Sequence, residues 1–463
     1  MHKIIFVSNL YPNAREPNRG LYNFHLMQAL QALGHDVEVI APTPYFPPRA
    51  ALLHRGLPHT HINHQPPPSP HPVQPCFTGA HYLYTPGIFI HHHWRMYRRA
   101  IAPILRARIQ KLGVTGSRIS YPANPTEPIS SFCPNLSVSK DHQHTCPAVT
   151  SAAVPEAEAP QGVGTTSHVS PPTSHVPLPH IILGFIYPDA VAMDAICREL
   201  GAPYSVLVLG SDFRVRMQQP RFRPLVMRCL EQAPHIICPG QALKNDMVRA
   251  GIAEEKITYF NNGIDPDVFY ADQTPRHNEL LFVGNLVSVK APERIIQAFG
   301  ALKDLRSGGL RLVMIGEGPL RKRLEKLAFR IGIAPDEIEW TGALPQGQVA
   351  QRMRRARLLC LCSRSEGMPN VVAEALACGC PVVATSVGEI PYMLNETNGS
   401  IVPQHNDEPT TIQALTHALR TNQELRTKSY GPRTKDQALW SDAARRVEQG
   451  LGISSLIGDC LSN

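Results

Sequence analysis

Glu366 and Glu374 stand eight residues apart in the run Ser365-Glu366-Gly367-Met368-Pro369-Asn370-Val371-Val372-Ala373-Glu374. The run continues through Cys378-Gly379-Cys380-Pro381 into Val382-Val383-Ala384-Thr385. This reads as a strand end, a tight Gly/Pro loop, a short helix, a glycine stop and an apolar strand. A helix starting near Asn370 leaves its first N–H groups without intrahelical partners and aims them into the loop, which favours an anion there. Glu366 falls in that loop and Glu374 about one turn into the helix. A carboxylate placed for hydroxyls, a second nearby and a phosphate-ready helix start suit a sugar nucleotide.

Other strand exits in the same half carry glycine. Gly284-Asn285-Leu286 follows one apolar strand, with Lys290 shortly after; Gly316-Glu317-Gly318-Pro319 follows the next, Gly342 the third and Gly367 the fourth. Glycine at the carboxyl end of a strand lets a ligand approach the backbone. One such exit is ordinary turn chemistry, whereas four on one edge of one sheet point to a ligand. Lys290 alone would be a surface lysine, but on this edge it is a point charge for a diphosphate.

Two series of α/β elements position these residues. The first opens with the strand at residues 3–8, a loop over 9–20, a helix from Leu21 to Leu33 stopped by Gly34, and a second strand at 36–41. It resumes at Ile181-Ile182-Leu183 and ends with the strand at 255–260 and the turn Asn261-Asn262-Gly263-Ile264-Asp265. Residues 270–278 are polar and read as a linker. The second series starts at Glu279-Leu280-Leu281-Phe282-Val283-Gly284. Strand–helix–strand repeats of this kind build parallel sheets whose ligands gather at the strands' carboxyl ends. The expected organisation is a first domain over 1–268, a second over 279–438 and a helical tail over 439–463. Residues 113–179 are dense in Pro, Ser, Thr and His and show no period, so a disordered insertion in the first domain is expected there.

Composition narrows the partners. Charged residues make up 18% of the 463 and the net charge is +8. That balance favours anionic ligands or an anionic membrane surface. Without basic runs or aromatic–basic interleaving, no nucleic-acid binding is expected. Residues 94–111 read as a helix with six basic and no acidic residues, either a solvated face or one that adheres to anionic lipid. The eleven cysteines, with no secretory signal ahead of them, are expected to be reduced and largely buried. Neither Cys360/Cys362 nor Cys378/Cys380 has zinc-knuckle spacing. No apolar run is long enough to span a bilayer. The expected location is cytoplasmic, in possible peripheral contact with the membrane face.

The run from Glu366 to Thr385 resembles the signature of family 4 retaining glycosyltransferases. Phe282-Val283-Gly284-Asn285-Leu286 with Lys290, Ile315-Gly316-Glu317-Gly318-Pro319, and Asn262-Gly263-Ile264-Asp265 occur in that family's order. In the first half, Leu10-Tyr11-Pro12, Pro17-Asn18-Arg19-Gly20, Tyr187-Pro188-Asp189 and Gly210-Ser211-Asp212 are similar to a bacterial subset of teichuronic-acid-type enzymes of cell-surface polysaccharide synthesis. The resemblance implies an α/β fold of GT-B type, with two Rossmann-like domains facing across a cleft. It also implies a sugar transfer from a UDP- or GDP-type nucleotide-sugar to a sugar or lipid-linked acceptor, with no cofactor and no metal. By the same resemblance Glu374 would hold the ribose, Glu366 the donor sugar, and Lys290 the diphosphate. Gly367, Met368, Pro369, Asn370 and Val371 would cradle sugar and phosphate. Gly284, Asn285, Gly316 and Gly318 would shape the donor edge, with Gly342 bordering the base. Gly20 would aim a helix dipole at the diphosphate, and Asp212 would face the acceptor. Retaining transferases of this architecture are thought to use a front-face displacement, which needs no separate nucleophile–base pair.

This chain departs from the family pattern at three places. Asn285 stands where the family usually has arginine, about Gly184 where many members have histidine, and Gly388-Glu389 where a glycine pair is usual. Two other readings stay open: a nucleotide-sugar epimerase of the same architecture, and a degenerate transferase acting as a binding or assembly subunit.

Overall fold

The computed structural model describes residues 1–12, 20–45, 76–83, 93–111, 178–405, 407–421 and 439–453. The expected insertion, apart from residues 178 and 179, lies outside the described residues, as do Pro17, Asn18 and Arg19. The described chain builds two sheets. The first contains β1 (Lys3–Val7), β2 (Asp36–Tyr45), β3 (Cys76–Leu83), β4 (His180–Leu183), β5 (Tyr204–Leu207), β6 (Ile236–Pro239) and β7 (Ile257–Phe260). Their spatial order is β3-β2-β1-β4-β5-β6-β7. The second contains β8 (Glu279–Val283), β9 (Arg311–Ile315), β10 (Ile338–Gly342), β11 (Leu358–Leu361), β12 (Val382–Thr385) and β13 (Gly399–Val402), ordered β10-β9-β8-β11-β12-β13. Every pairing is parallel.

Helices cover both faces of each sheet, which is why the strands read as unbroken apolar runs. Ile4, Ile5, Phe6 and Val7 are all fully buried, as are Leu281 and Phe282. Strand order reverses between β1 and β4 in the first sheet and between β8 and β11 in the second. The crevices at such reversals are where open α/β sheets hold ligands. Gly284 leaves β8 and the loop to Glu366 leaves β11, so both run into the second reversal point.

Two strands were not visible in the sequence. β3 lies beside a Pro- and His-rich stretch, and β13 has four residues ending an Asn-rich turn. The helical tail does not stand alone. The helix Trp440–Leu451 returns to the first half, where Ala443, Ala444 and Val447 pack in one core with Leu26, Met27, Leu30 and Phe260. Leu439 bridges to Ile264, and the His25 ring stacks on Trp440 at 5.4 Å. The Glu448 carboxylate meets the His35 ring at 2.8 Å in a buried contact. Gly263 is glycine because a Cβ there would collide with the backbone of Trp440. The basic helix spans His93–Lys111 and buries Tyr97, Ile101, Leu105 and Ile109. Two of its arginines are spent on the protein: Arg106 on Glu199 and Arg108 on Glu38.

Candidate functional site

The loop after β11 is held from below. The Ser363 hydroxyl donates to Glu366 Oε1 at 2.5 Å, and the buried Thr385 hydroxyl donates to the Ser363 carbonyl at 2.7 Å. Lys290 sits at the end of a short turn, Ser288–Lys290, followed by Ala291 at φ 45°. That left-handed conformation costs a non-glycine residue about 1–2 kcal/mol, and it swings the chain into the Pro292–Ala301 helix. The result brings Lys290 Nζ onto both oxygens of Glu366, at 2.6 and 2.9 Å. The Glu366 side chain is only 8% exposed.

This ion pair lies on the wall of a cavity of about 610 Å³. Val283, Gly284 and Asn285 from the β8 exit line it, together with Gly367, Met368, Pro369, Asn370 and Val371. The helix Asn370–Ala377 therefore opens its first turn, with no side-chain cap and no acidic residue, into the cavity. Such a start is an anion site. The first half closes the cavity with Tyr22, Leu209, Ser211, Pro239 and Asn262. Gly20 is not on the wall, but it takes a left-handed cap (φ 63°) one residue before the helix Leu21–Ala32. That helix brings Tyr22 to the cavity.

Direct bonds join the halves around the loop. Asn262 donates its backbone N–H to Met368 Sδ at 3.1 Å and its side-chain amide to Asn370 Oδ1 at 2.8 Å. Arg214 donates to the Glu366 carbonyl and, through Nε, to Asp246 at 2.6 Å. Glu389 accepts the backbone N–H groups of Gln241 and Ala242, both at 2.8 Å, at the start of the helix Gln241–Arg249. Sequence reasoning missed Ser363, Arg214 and Glu389. Arg214 follows the Gly210-Ser211-Asp212 motif, and in the sequence Glu389 stands out only as a departure from a glycine pair.

Several expected site residues stand elsewhere. Gly316, Gly318 and Gly342 do not line the cavity. Cβ atoms on the first two would come within 2.8 Å of the backbone at Gly284 and Leu286, so their small size makes room for protein. Glu374 is not on the wall either. It is partly buried, burial lifts its pKa to about 7, and its carboxylate makes no hydrogen bond or ion pair among the described residues.

Asp212 corrects an expectation. It is 2% exposed, and its oxygens accept the backbone N–H groups of Ile186, Leu209 and Phe213 at 2.9–3.1 Å. Burial raises its pKa to about 6 against the pull of those amides. It holds the β4 and β5 exits together through these amides. Asp189 beside it is likewise buried and lifted to about 7, first by burial and further by the charge of Asp212. Gly184 could not be histidine here, since even a Cβ would stand 2.5 Å from both Phe6 Cζ and Ser8 Cβ.

Among the described residues no three His, Cys, Asp or Glu side chains gather as a metal site, and no helix is long and apolar enough to cross a membrane. Cys197, Cys229, Cys238, Cys360, Cys362, Cys378 and Cys380 are free and buried.

Two parallel α/β halves with a cavity at their carboxyl edges define a GT-B protein. The family model for glycosyl transferases group 1 matches residues 271–431, and that for glycosyltransferase family 4 matches residues 179–268. The chain belongs to glycosyltransferase family 4. It is 24% identical over 419 residues to Bacillus subtilis TuaC, assigned as a teichuronic acid biosynthesis glycosyltransferase, across 90% of this chain and 88% of that one. It is 27% identical over 253 residues to the uncharacterized glycosyltransferase MJ1178 of Methanocaldococcus jannaschii, covering 54% of this chain and 68% of the relative. In fold it is similar to the UDP complex of Anabaena Alr3699/HepE, with a TM-score of 0.55 at 14% identity over 99% of both chains.

Proposed function

We propose that this glycosyltransferase is retaining and metal-independent, and that it moves a hexose from a UDP- or GDP-type nucleotide-sugar onto an acceptor in cell-surface polysaccharide or glycolipid synthesis. The observation that carries the reading is the Lys290 ammonium forked onto Glu366 at the wall of a cavity that also receives the Asn370–Ala377 helix start. A diphosphate there meets the Lys290 ammonium, shared with Glu366, and the first amides of the helix, which can carry the charge that builds on the leaving group. Glu366, held by Lys290 and Ser363, is placed for donor-sugar hydroxyls. The Glu374 carboxylate, with no hydrogen-bond or ion-pair partner among the described residues, is free to take the ribose hydroxyls. The C1–O bond to the diphosphate breaks, the acceptor oxygen bonds C1 on the same face, and its proton passes to the departing diphosphate. The UDP held by HepE and the teichuronic acid assignment of TuaC support the donor class and the polysaccharide role.

The same proposal has the chain work on the cytoplasmic side, where the exposed Arg95, Arg99 and Lys111 of the His93–Lys111 helix suit peripheral contact with anionic lipid. Calorimetric titration of the full chain with UDP and GDP tests the donor reading, followed by turnover of UDP- and GDP-hexoses in EDTA. Binding of one diphosphate and an α-linked product from an α-linked donor are expected. No binding of either diphosphate, an inverted product, or activity abolished by EDTA would overturn it.

A further inference from the structure

The donor loop is gripped by the half to which it does not belong. Arg214, on the helix Ser211–Met217 of the first half, donates through Nη1 to the backbone carbonyl of Glu366. The Glu366 carboxylate plays no part in this contact, because Lys290 and Ser363 of its own half already hold it. The guanidinium is itself fixed. Its Nε donates to Asp246 at 2.6 Å, and the other oxygen of Asp246 accepts from Arg249. The helix that carries Arg214 is fixed too, since Asp212 ties its first turn to Ile186 and Leu209. A Cβ on Gly210 would stand 3.7 Å from Gly367 Cα, so the β5 exit packs directly against the donor loop.

A trans peptide points its N–H opposite to its C=O. With the Glu366 carbonyl turned to Arg214, the Gly367 N–H points away from Arg214, and Gly367 lies on the wall of the cavity that also takes in Lys290. The next peptide is held in the same way, its Gly367 carbonyl accepting the Glu389 N–H at 3.0 Å. Neither the Gly367 N–H nor the Met368 N–H has a partner among the described residues. Glycine tolerates φ of either sign, so the Glu366–Gly367 peptide turns over more readily than others in the loop. Turned over, it would present a carbonyl where it now presents an N–H. The Arg214 bond to that carbonyl opposes the turn.

We infer that Arg214 is a positioning residue for the donor sugar, acting through the Glu366 carbonyl to keep the Gly367 N–H facing the donor cavity. The inference rests on the donor reading above. It adds a residue of the first half that touches no substrate and yet sets the sugar side of the donor site. The diphosphate, on Lys290 and the Asn370–Ala377 helix start, does not depend on that peptide.

The test measures dissociation constants of the full chain for UDP, GDP, UDP-glucose, UDP-N-acetylglucosamine and GDP-mannose by calorimetry. It compares the nucleotide-sugar that wild type binds best with that sugar's own diphosphate. Arg214→Ala should weaken the nucleotide-sugar about tenfold, the worth of one hydrogen bond to the sugar, and the diphosphate by less than about twofold. Arg214→Lys keeps the charge but lacks the fork that reaches Asp246 and Glu366 together, and should fall between. Should Arg214→Ala fail to fold, Arg214→Lys carries the same comparison. Arg249→Ala removes the other partner of Asp246 without touching the loop and should leave both constants unchanged. A general loss of structure would weaken both ligands alike and lower the urea midpoint. Equal weakening of both ligands, or weakening of neither, overturns the inference and leaves the donor reading intact. Failure of wild type to bind either UDP or GDP overturns the donor reading and the inference with it.

Discussion

Glu389 reaches from the second half and accepts the backbone N–H of Gln241 at 2.8 Å, with Ala242 on its other oxygen at the same distance. It is 3% exposed, and its own N–H donates to the Gly367 carbonyl at 3.0 Å. One residue thus ties the donor loop to the start of the helix Gln241–Arg249. A carboxylate there meets both free amides and the positive end of the helix.

Removing that carboxylate should loosen the two halves. Glu389→Ala is expected to cost about 1–3 kcal/mol, the range for stranding buried donors of this kind. Hydrogen exchange at the amides of Gln241 and Ala242 should accelerate, while amides in β9 and β10 stay protected. Unchanged exchange at residues 241 and 242 would show that the contact holds nothing in solution.

Burial lifts Glu374 to about 7, so near neutral pH it is roughly half protonated. If ribose hydroxyls donate to it, the ionised form binds better, and nucleotide affinity should rise between pH 6 and 8 by up to about tenfold. Glu374→Gln should flatten that rise relative to wild type, which separates it from titration of the nucleotide itself. Stability runs the other way. A glutamate raised on folding binds more protons in the native state, so its contribution is full below the ordinary glutamate range and is lost as pH climbs through about 7. Glu374→Gln is therefore expected to weaken nucleotide binding and yet to raise the melting temperature at pH 8. A variant less stable than wild type at pH 8 would refute the account of its burial.

Lys290 is ion-paired with the Glu366 carboxylate. Lys290→Met should lower kcat/KM by about 2–4 kcal/mol, in the range for removing one preorganised charge partner of a leaving group. Global stability should fall as well, by about 1–3 kcal/mol, because the Glu366 carboxylate left without its lysine is only 8% exposed. Urea unfolding alongside kinetics distinguishes the two. A large stability loss with intact turnover would mean that the pair is structural.

Gly184→Ala should be destabilising by about 1–3 kcal/mol, the cost of forcing extra atoms into a packed core. The added carbon has Phe6 and Ser8 in its way. Gly184→His should express poorly or unfold at lower urea. A histidine variant as stable as wild type would show that the β1 and β4 exits can part.

The donor-loop segment was legible in the sequence because its signals are local. A glycine-bearing exit, a proline before the helix, Asn370 opening it and Gly379 closing it all lie within about fifteen residues, and backbone geometry alone makes them a loop and a helix start. The apolar strands were legible for the same reason, since parallel strands buried on both faces carry continuous apolar runs. The roles of individual polar residues depended on neighbours far away in the chain. Asp212 reads as an acceptor-side group in the sequence, and the fold shows its oxygens taking three amides from two segments, Ile186 and the Leu209–Phe213 turn. Gly316 and Gly318 looked like ligand approaches, yet the backbone of the neighbouring strand exit fills that space. Glu389 looked like a lapse from a glycine pair until its carboxylate met a helix start almost 150 residues earlier. The helix Trp440–Leu451 looked like a tail until Gly263 opened a seat for it on the first half. Sequence pattern alone determined most of the strands, helices and loops, though neither β3 nor β13. Packing decided which charges face the cavity, because a side chain's exposure and partners are set by whichever distant segment folds against it.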